Sequence, residues 1–242
     1  MDIKEDTFKS LKHNRIVDDI IDAIKQALIR GDLAPGQRLP SENVLTQRLG
    51  VGRGAIREAM KMLSALGVVE IKQGNGTYIT SEPSHMLLTP LSFVILLQKG
   101  MANEILELRS LFQVGYCQLA ARKATSEEME RIGKILEDWT IYAHKPACDI
   151  EQLVKLDLNF HFAILNATHN PFVIKIGHAI EELFYASMRT TISDEIGLKL
   201  GIEGHKKILQ ALYSRNPETI RYVVEESLIN WGKVLSQNNI TK

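Results

Sequence analysis

A chain of 242 residues, 45% apolar and 24% charged, has ordinary globular composition and room for one large domain or two modest ones. Its formal net charge is zero, which argues against a protein that coats nucleic acid non-specifically. No apolar run reaches the roughly 18 residues of a bilayer span, the first ten residues lack the apolar stretch of a signal peptide, and Cys117 and Cys148 match no zinc or redox spacing. A cytoplasmic protein with reduced thiols and no membrane contact is expected.

Residues 14–30 place Ile16, Ile20, Ile21, Ile24, Leu28 and Ile29 on one helical stripe, ended by Gly31-Asp32. Pro35-Gly36 makes a turn, and Ser41 is placed to N-cap a short helix over 42–49. Gly50-Val51-Gly52 turns the chain into a second helix from Arg53 to about Leu66, which stops at Gly67. Gly52 stands at the N-cap without a capping side chain. Residues 68–72 and 77–80 read as short strands around Gly74-Asn75-Gly76, a hairpin beside the helices.

Ser81-Glu82-Pro83-Ser84 marks a break, and everything after it has helical periodicity. Helices are expected over about 87–98, 102–123, 126–143, 149–168, 171–190, 198–214 and 217–237. The fold expected is mainly α: a winged helix-turn-helix domain over 1–80, a linker over 81–87, and an all-α bundle over 88–242.

Arg53, Arg57 and Lys61 fall at i, i+4 and i+8, so three cations share one face of the second helix of a helix-turn-helix. Residues 38–72 hold six Lys/Arg against three Asp/Glu, so the neutral chain carries a local basic patch. A cationic helix face is usually only a solvated one. Here the preceding turn and the following hairpin favour a DNA major-groove element. The arginines suit guanine edges or phosphate, and Lys61 suits phosphate. Gly54 leaves room for close backbone approach, and Gln73 and Gly74 sit at the tip of the wing.

In the helical half, Asp157 and His161 are i and i+4, a spacing at which a carboxylate and an imidazole can share one divalent metal. A plain intrahelical ion pair is the alternative. His205 follows on another helix, either as a third ligand or as a packed histidine. Arg109 lies among Leu106, Leu108 and Leu111 and needs an anion, either a bound carboxylate or a salt bridge to Glu107 or another helix. Asn166, beyond His161, and Arg189, near the end of a later helix, are further candidates for an effector pocket, with a surface position the alternative for Arg189.

The run G-x-R-L-P-S-E, followed by G-V-x-R-x-x-I-R-E-A-M, L-x-x-L-G-V-V-E and G-x-G-T-Y-I, resembles the winged-helix domain of the GntR transcription regulators. The segments ELRSLFQ (107–113), LAAR (119–122), D-x-x-x-H (157–161), N-A-T-H-N-P (166–171) and G-H-K-K-I-L-Q-A-L (204–212) resemble the ligand-sensing FCD domain of its FadR subgroup. The resemblance implies a homodimer on a pseudo-palindromic double-stranded DNA operator, with Arg53, Gly54, Arg57, Gln73 and Gly74 contacting DNA. It implies a metal (zinc, nickel or manganese) held by one Asp and three His in the sensing domain. Asp157, His161 and His205 keep that spacing, and Ser227 stands where the fourth ligand, a His, would be. Gly52 replaces the usual Ser or Thr before Arg53, and Asn43 replaces an Arg used by a related regulator.

The function expected is therefore a repressor whose operator binding responds to a small carboxylate effector, such as lactate, a sugar acid or a dicarboxylate. Two other readings are weaker. A metal-dependent hydrolase leaves the winged helix unexplained. A DNA-architectural protein without effector has no need of so large a helical half.

Overall fold

The computed structural model describes residues 14–81 and 102–237. The chain divides into two compact units, Met1–Leu87 and Leu88–Lys242. The helix expected over 87–98 and all of the expected linker beyond Ser81 lie outside the described residues.

The first unit runs α1 (Asn14–Ile29), α2 (Glu42–Leu49), α3 (Arg53–Ala65), β1 (Val69–Lys72) and β2 (Gly76–Ile79). Its core joins Val17, Ile20 and Ile24 of α1 to Ala55, Ile56, Ala59, Met60 and Leu63 of α3, closed by Leu39, Val69 and Ile79. The expected stripe on α1 is thus rotated slightly: Val17 is buried, whereas Ile16 and Ile29 are exposed. Helix α2 contributes no fully buried side chain and is held by its ends. Ser41 Oγ accepts from the Val44 amide, and Gly50, at φ 65°, provides the left-handed stop. The strands pair antiparallel from Val69↔Ile79 to Lys72↔Gly76, and Arg38 bridges to Tyr78 at the sheet edge.

The second unit is helical throughout its described residues: α4 (Ala102–Lys123), α5 (Ser126–Ala143), α6 (Ile150–Asn166), α7 (Pro171–Leu183), α8 (Tyr185–Ser193), α9 (Glu195–Ser214) and α10 (Pro217–Gln237). Local chemistry explains several starts. Thr125 and Glu128 form a reciprocal capping box at α5, Asp149 caps α6, and Asn170 caps α7 with Pro171 in its first turn. The core gathers Trp139 of α5, Leu153, Phe160 and Ile164 of α6, Phe184, and Ile208 and Leu212 of α9. A large side chain buried this way contributes about 1.5–3 kcal/mol.

Two expectations change here. The single helix expected over 171–190 is two, broken at Phe184 (φ −89°, ψ 0°), whose ring is buried against Trp231. The sequence offers neither Gly nor Pro at this break, so packing imposes it. The following helix begins at Glu195 rather than 198, because Asp194 caps it through the Gly197 amide. Gly197 lies in the first turn of that helix. It is required for close approach, since a Cβ there would lie 2.2 Å from the Thr191 carbonyl oxygen. Both thiols are free, with Cys117 buried and its pKa pushed well up by burial. Among the described residues, no helix is long and apolar enough to cross a membrane.

Candidate functional site

In the first unit, α3 turns its apolar face inward and leaves Arg53, Gly54, Arg57 and Lys61 exposed on the opposite face. Gln73 and Gly74 are exposed at the hairpin tip, where Gly74 has φ 74°. Gly52 precedes α3 in extended conformation with no side-chain cap. Two features escaped the sequence reading. Arg57 Nε donates to Glu42 Oε2 of α2 at 2.9 Å, so the central cation of the face is already held by a carboxylate. Arg38 lies over the hairpin, with its Nε 3.0 Å from where a Cβ of Gly76 would stand. Its charge within the basic segment was the available signal.

In the second unit, a cavity of about 60 Å³ is lined by residues of α4, α5, α6, α8, α9 and α10. That is room for roughly four to six waters, or a small organic molecule of similar size. Asp157 and His161 enter it from α6 and His205 from α9, all three buried. Their ligand atoms lie within 4.8 Å of one another. His205 Nε2 is 3.1 Å from His161 Nε2, His205 Nδ1 is 3.5 Å from Asp157 Oδ1, and His161 Nε2 is 3.9 Å from Asp157 Oδ2. Ser227 of α10 lines the same cavity, its Oγ 2.6 Å from where a Cβ of Gly204 would lie.

Burial is the largest influence on the protonation of all three groups. Burial raises the Asp157 pKa to about 7, against the pull of Arg109. Burial, and then the Arg109 charge, holds His161 well below its ordinary value. His205 is lowered in the same way, by burial first and then by His161 and Arg109. Two neutral imidazoles beside a carboxyl that sheds its proton near neutrality form a donor set for a divalent metal. His205 Nδ1 is buried and makes no well-directed hydrogen bond, with Asp157 Oδ1 3.5 Å away, which fits that reading.

Arg109 of α4 lines the cavity as well, and of the anions the sequence left open it has the salt bridge to another helix. Its Nη2 donates to Glu181 Oε2 of α7 at 3.1 Å, and both side chains are buried. The guanidinium carbon also lies over the rings of Phe184 and Trp231, 4.5 and 4.7 Å from their centroids. Tyr116 Oη lies 3.0 Å from both Glu181 Oε1 and His161 Nδ1, which links the arginine to the candidate metal ligands. Besides His205 Nδ1, the atoms Arg109 Nε, Gln113 Oε1 and Trp139 Nε1 are buried without partners, and all four residues line this cavity. Each such orphan costs about 1–3 kcal/mol unless a ligand or water meets it.

Two expected pocket residues lie elsewhere. Asn166 ends α6 and is exposed, because five residues from His161 carry it to another face of the helix. Arg189 of α8 is exposed and paired with Glu151 at 2.6 Å. Neither lines the cavity.

A winged helix-turn-helix with an exposed cationic face on its second helix, followed by a helical unit around a cavity lined by buried ionisable residues, defines a class of DNA-binding regulator. The family model described as bacterial regulatory proteins, gntR family, matches residues 16–79, and the FCD domain model matches residues 104–230. The HTH-type transcriptional regulator LutR of Bacillus subtilis is 32% identical over 212 residues, covering 85% of this chain and 94% of that protein. The galactonate operon transcriptional repressor of Escherichia coli is 26% identical over 200 residues, covering 81% and 86%. Among solved structures, Streptococcus agalactiae GntR shares the fold at TM-score 0.57 and 24% identity, covering 90% of this chain and 99% of that one. The chain belongs to the GntR family and is a transcriptional regulator carrying an FCD domain, not an enzyme.

Proposed function

We propose that this regulator is a homodimeric repressor that binds a pseudo-palindromic operator and leaves it when a small organic acid enters the helical unit. Arg53 and Arg57 read base edges or grip phosphate from α3, Gly54 admits the backbone closely, and Lys61 contacts phosphate. Gln73 and Gly74 approach the DNA from the wing. In the second unit, Asp157, His161 and His205 hold zinc, nickel or manganese. Ser227 is a weak fourth donor, which leaves a position open to water or to the acid. Arg109 supplies a fixed cation for the acid's carboxylate.

One observation carries this reading: four orphaned buried polar atoms and the Asp157–His161–His205 cluster meet at a single cavity sized for a small acid. A fatty acyl chain does not suit a cavity of about 60 Å³. The galactonate operon repressor is named for an operon of a sugar acid, which supports both the ligand class and repression. Leu111 of α4 and Phe172 and Ile176 of α7 are exposed apolar residues on two helices that pack together, which supports a dimer face. Coupling then requires two dimer arrangements that space the recognition helices differently, with the acid preferring one.

The test is a thermal-shift screen of small hydroxy acids, sugar acids and dicarboxylates, each with and without zinc, nickel and manganese. Metal analysis of untagged protein purified without chelators accompanies it. Stabilisation by an acid that depends on metal and on Asp157 supports the reading. Less than about a tenth of a metal per chain, unchanged in Asp157→Ala, removes the metal from it.

A further inference from the structure

We infer that Tyr116 and Glu181 are positioning residues that fix His161 in the tautomer able to bind metal, and that Glu181 joins this ligand to Arg109. The inference rests on the reading of Asp157, His161 and His205 as a metal site.

It follows from counting protons. The Arg109 guanidinium only donates, so Glu181 Oε2 accepts from it at 3.1 Å. Glu181 Oε1 lies 3.0 Å from Tyr116 Oη and accepts the one proton the phenol has. The remaining contact, Tyr116 Oη to His161 Nδ1 at 3.0 Å, is then served by Nδ1–H donating to the phenol oxygen. A neutral imidazole protonated on Nδ1 carries its lone pair on Nε2. That nitrogen lies in the cluster, 3.1 Å from His205 Nε2 and 3.9 Å from Asp157 Oδ2. Tyr116 and Glu181 are both buried, so water does not compete for these bonds.

Outer partners of this kind orient metal-binding histidines and raise their basicity. Glu181 differs from a dedicated partner in having a second task. Its other oxygen holds the arginine, whose guanidinium carbon lies over the rings of Phe184 and Trp231. A carboxylate ligand that draws on Arg109 competes with Glu181 for the same guanidinium. Any change at Glu181 is passed through Tyr116 to His161. Metal and acid are thereby linked through α7, a helix that contributes no residue to the cavity wall.

A purely structural Tyr116 would pack its ring against Phe112, 6.0 Å away, and phenylalanine would serve as well. Tyr116→Phe therefore separates the two roles. Long-range proton–nitrogen correlation spectra of 15N-histidine-labelled, metal-free protein report the tautomer directly. The wild type should show His161 protonated on Nδ1, and Tyr116→Phe should lose that preference. Zinc affinity, measured against a chelating indicator, should fall about 10- to 100-fold in Tyr116→Phe while the fold is retained. Glu181→Gln should weaken zinc in the same direction and change the binding of lactate as well. An unchanged tautomer in Tyr116→Phe, or zinc affinity within about twofold of wild type, overturns the inference. If the wild type itself binds no zinc, the metal reading falls, and the tautomer comparison still decides whether Tyr116 and Glu181 set His161.

Discussion

Arg109 and Glu181 stand 72 positions apart in sequence and form an ion pair at 3.1 Å, their side chains 5% and 1% exposed. A buried pair of this kind contributes little net stability against apolar residues of the same size, but losing one partner strands the other charge. Arg109→Met should destabilise the protein by about 3–5 kcal/mol in urea unfolding. Arg109→Met/Glu181→Leu should recover most of that loss while abolishing any response to organic acids. A single substitution that costs nothing would mean Glu181 is satisfied from elsewhere.

The pH dependence of the metal-free protein reports on Asp157. Arg109 favours its ionised form and Glu181 opposes it, with the imidazoles of His161 and His205 alongside, and burial outweighs them to give a pKa of about 7. A carboxyl raised in the folded state contributes its stability fully below the unfolded value of 3.8, and loses it as pH rises through about 7. His161 and His205 are lowered, so their contribution holds above 6.5 and fades as pH falls. Asp157→Asn is neutral throughout. Its melting temperature should rise relative to wild type by several degrees between about pH 4 and 7 and level off above that, and zinc should no longer stabilise it. A constant difference across that range would contradict the burial argument.

On the DNA side, Arg57 is 67% exposed and shared with Glu42. Arg57→Ala should weaken specific operator binding by about 1–3 kcal/mol in titrations at fixed salt. Lys61→Ala should instead lower affinity for all sequences and reduce the salt slope by about one. Equal effects of both on specific and random DNA would remove the base-reading role from Arg57.

Gly52 offers a gain. A Cβ there meets nothing within 4 Å, its φ of −71° suits any residue, and α3 has no side-chain cap. Gly52→Ser should raise stability by a few tenths of a kcal/mol in urea denaturation, without loss of operator binding. A fall in stability would show that the hydroxyl does not reach the amides of the first turn.

The elements most legible in the sequence are those punctuated locally. Ser41, Gly50, Gly67 and the Gly74–Gly76 turn delimit α2, α3 and the hairpin through their own backbone preferences. The Asp157–His161 spacing is equally local, and both residues reach the cavity. His205 joins them only through tertiary packing, so family resemblance had to supply it. Glu181 carries no local mark: it sits beside Glu182 on an amphipathic helix, and its partners Arg109 and Tyr116 come from α4. The break at Phe184 is hidden for the same reason, since its cause is the ring's burial against Trp231. Arg189, open in the sequence to either a pocket or a surface position, is held at the surface by Glu151, 38 positions earlier.

Coupling between the two units is read most directly from operator affinity with and without a small acid. Sites selected by the protein from random DNA are titrated at fixed salt, with zinc or manganese present, against lactate and a sugar acid. One such acid should weaken wild-type binding at least tenfold, a coupling of about 1.4 kcal/mol, and leave Asp157→Asn unaffected. Operator affinity that no small acid changes, or a response that persists in Asp157→Asn, would contradict it.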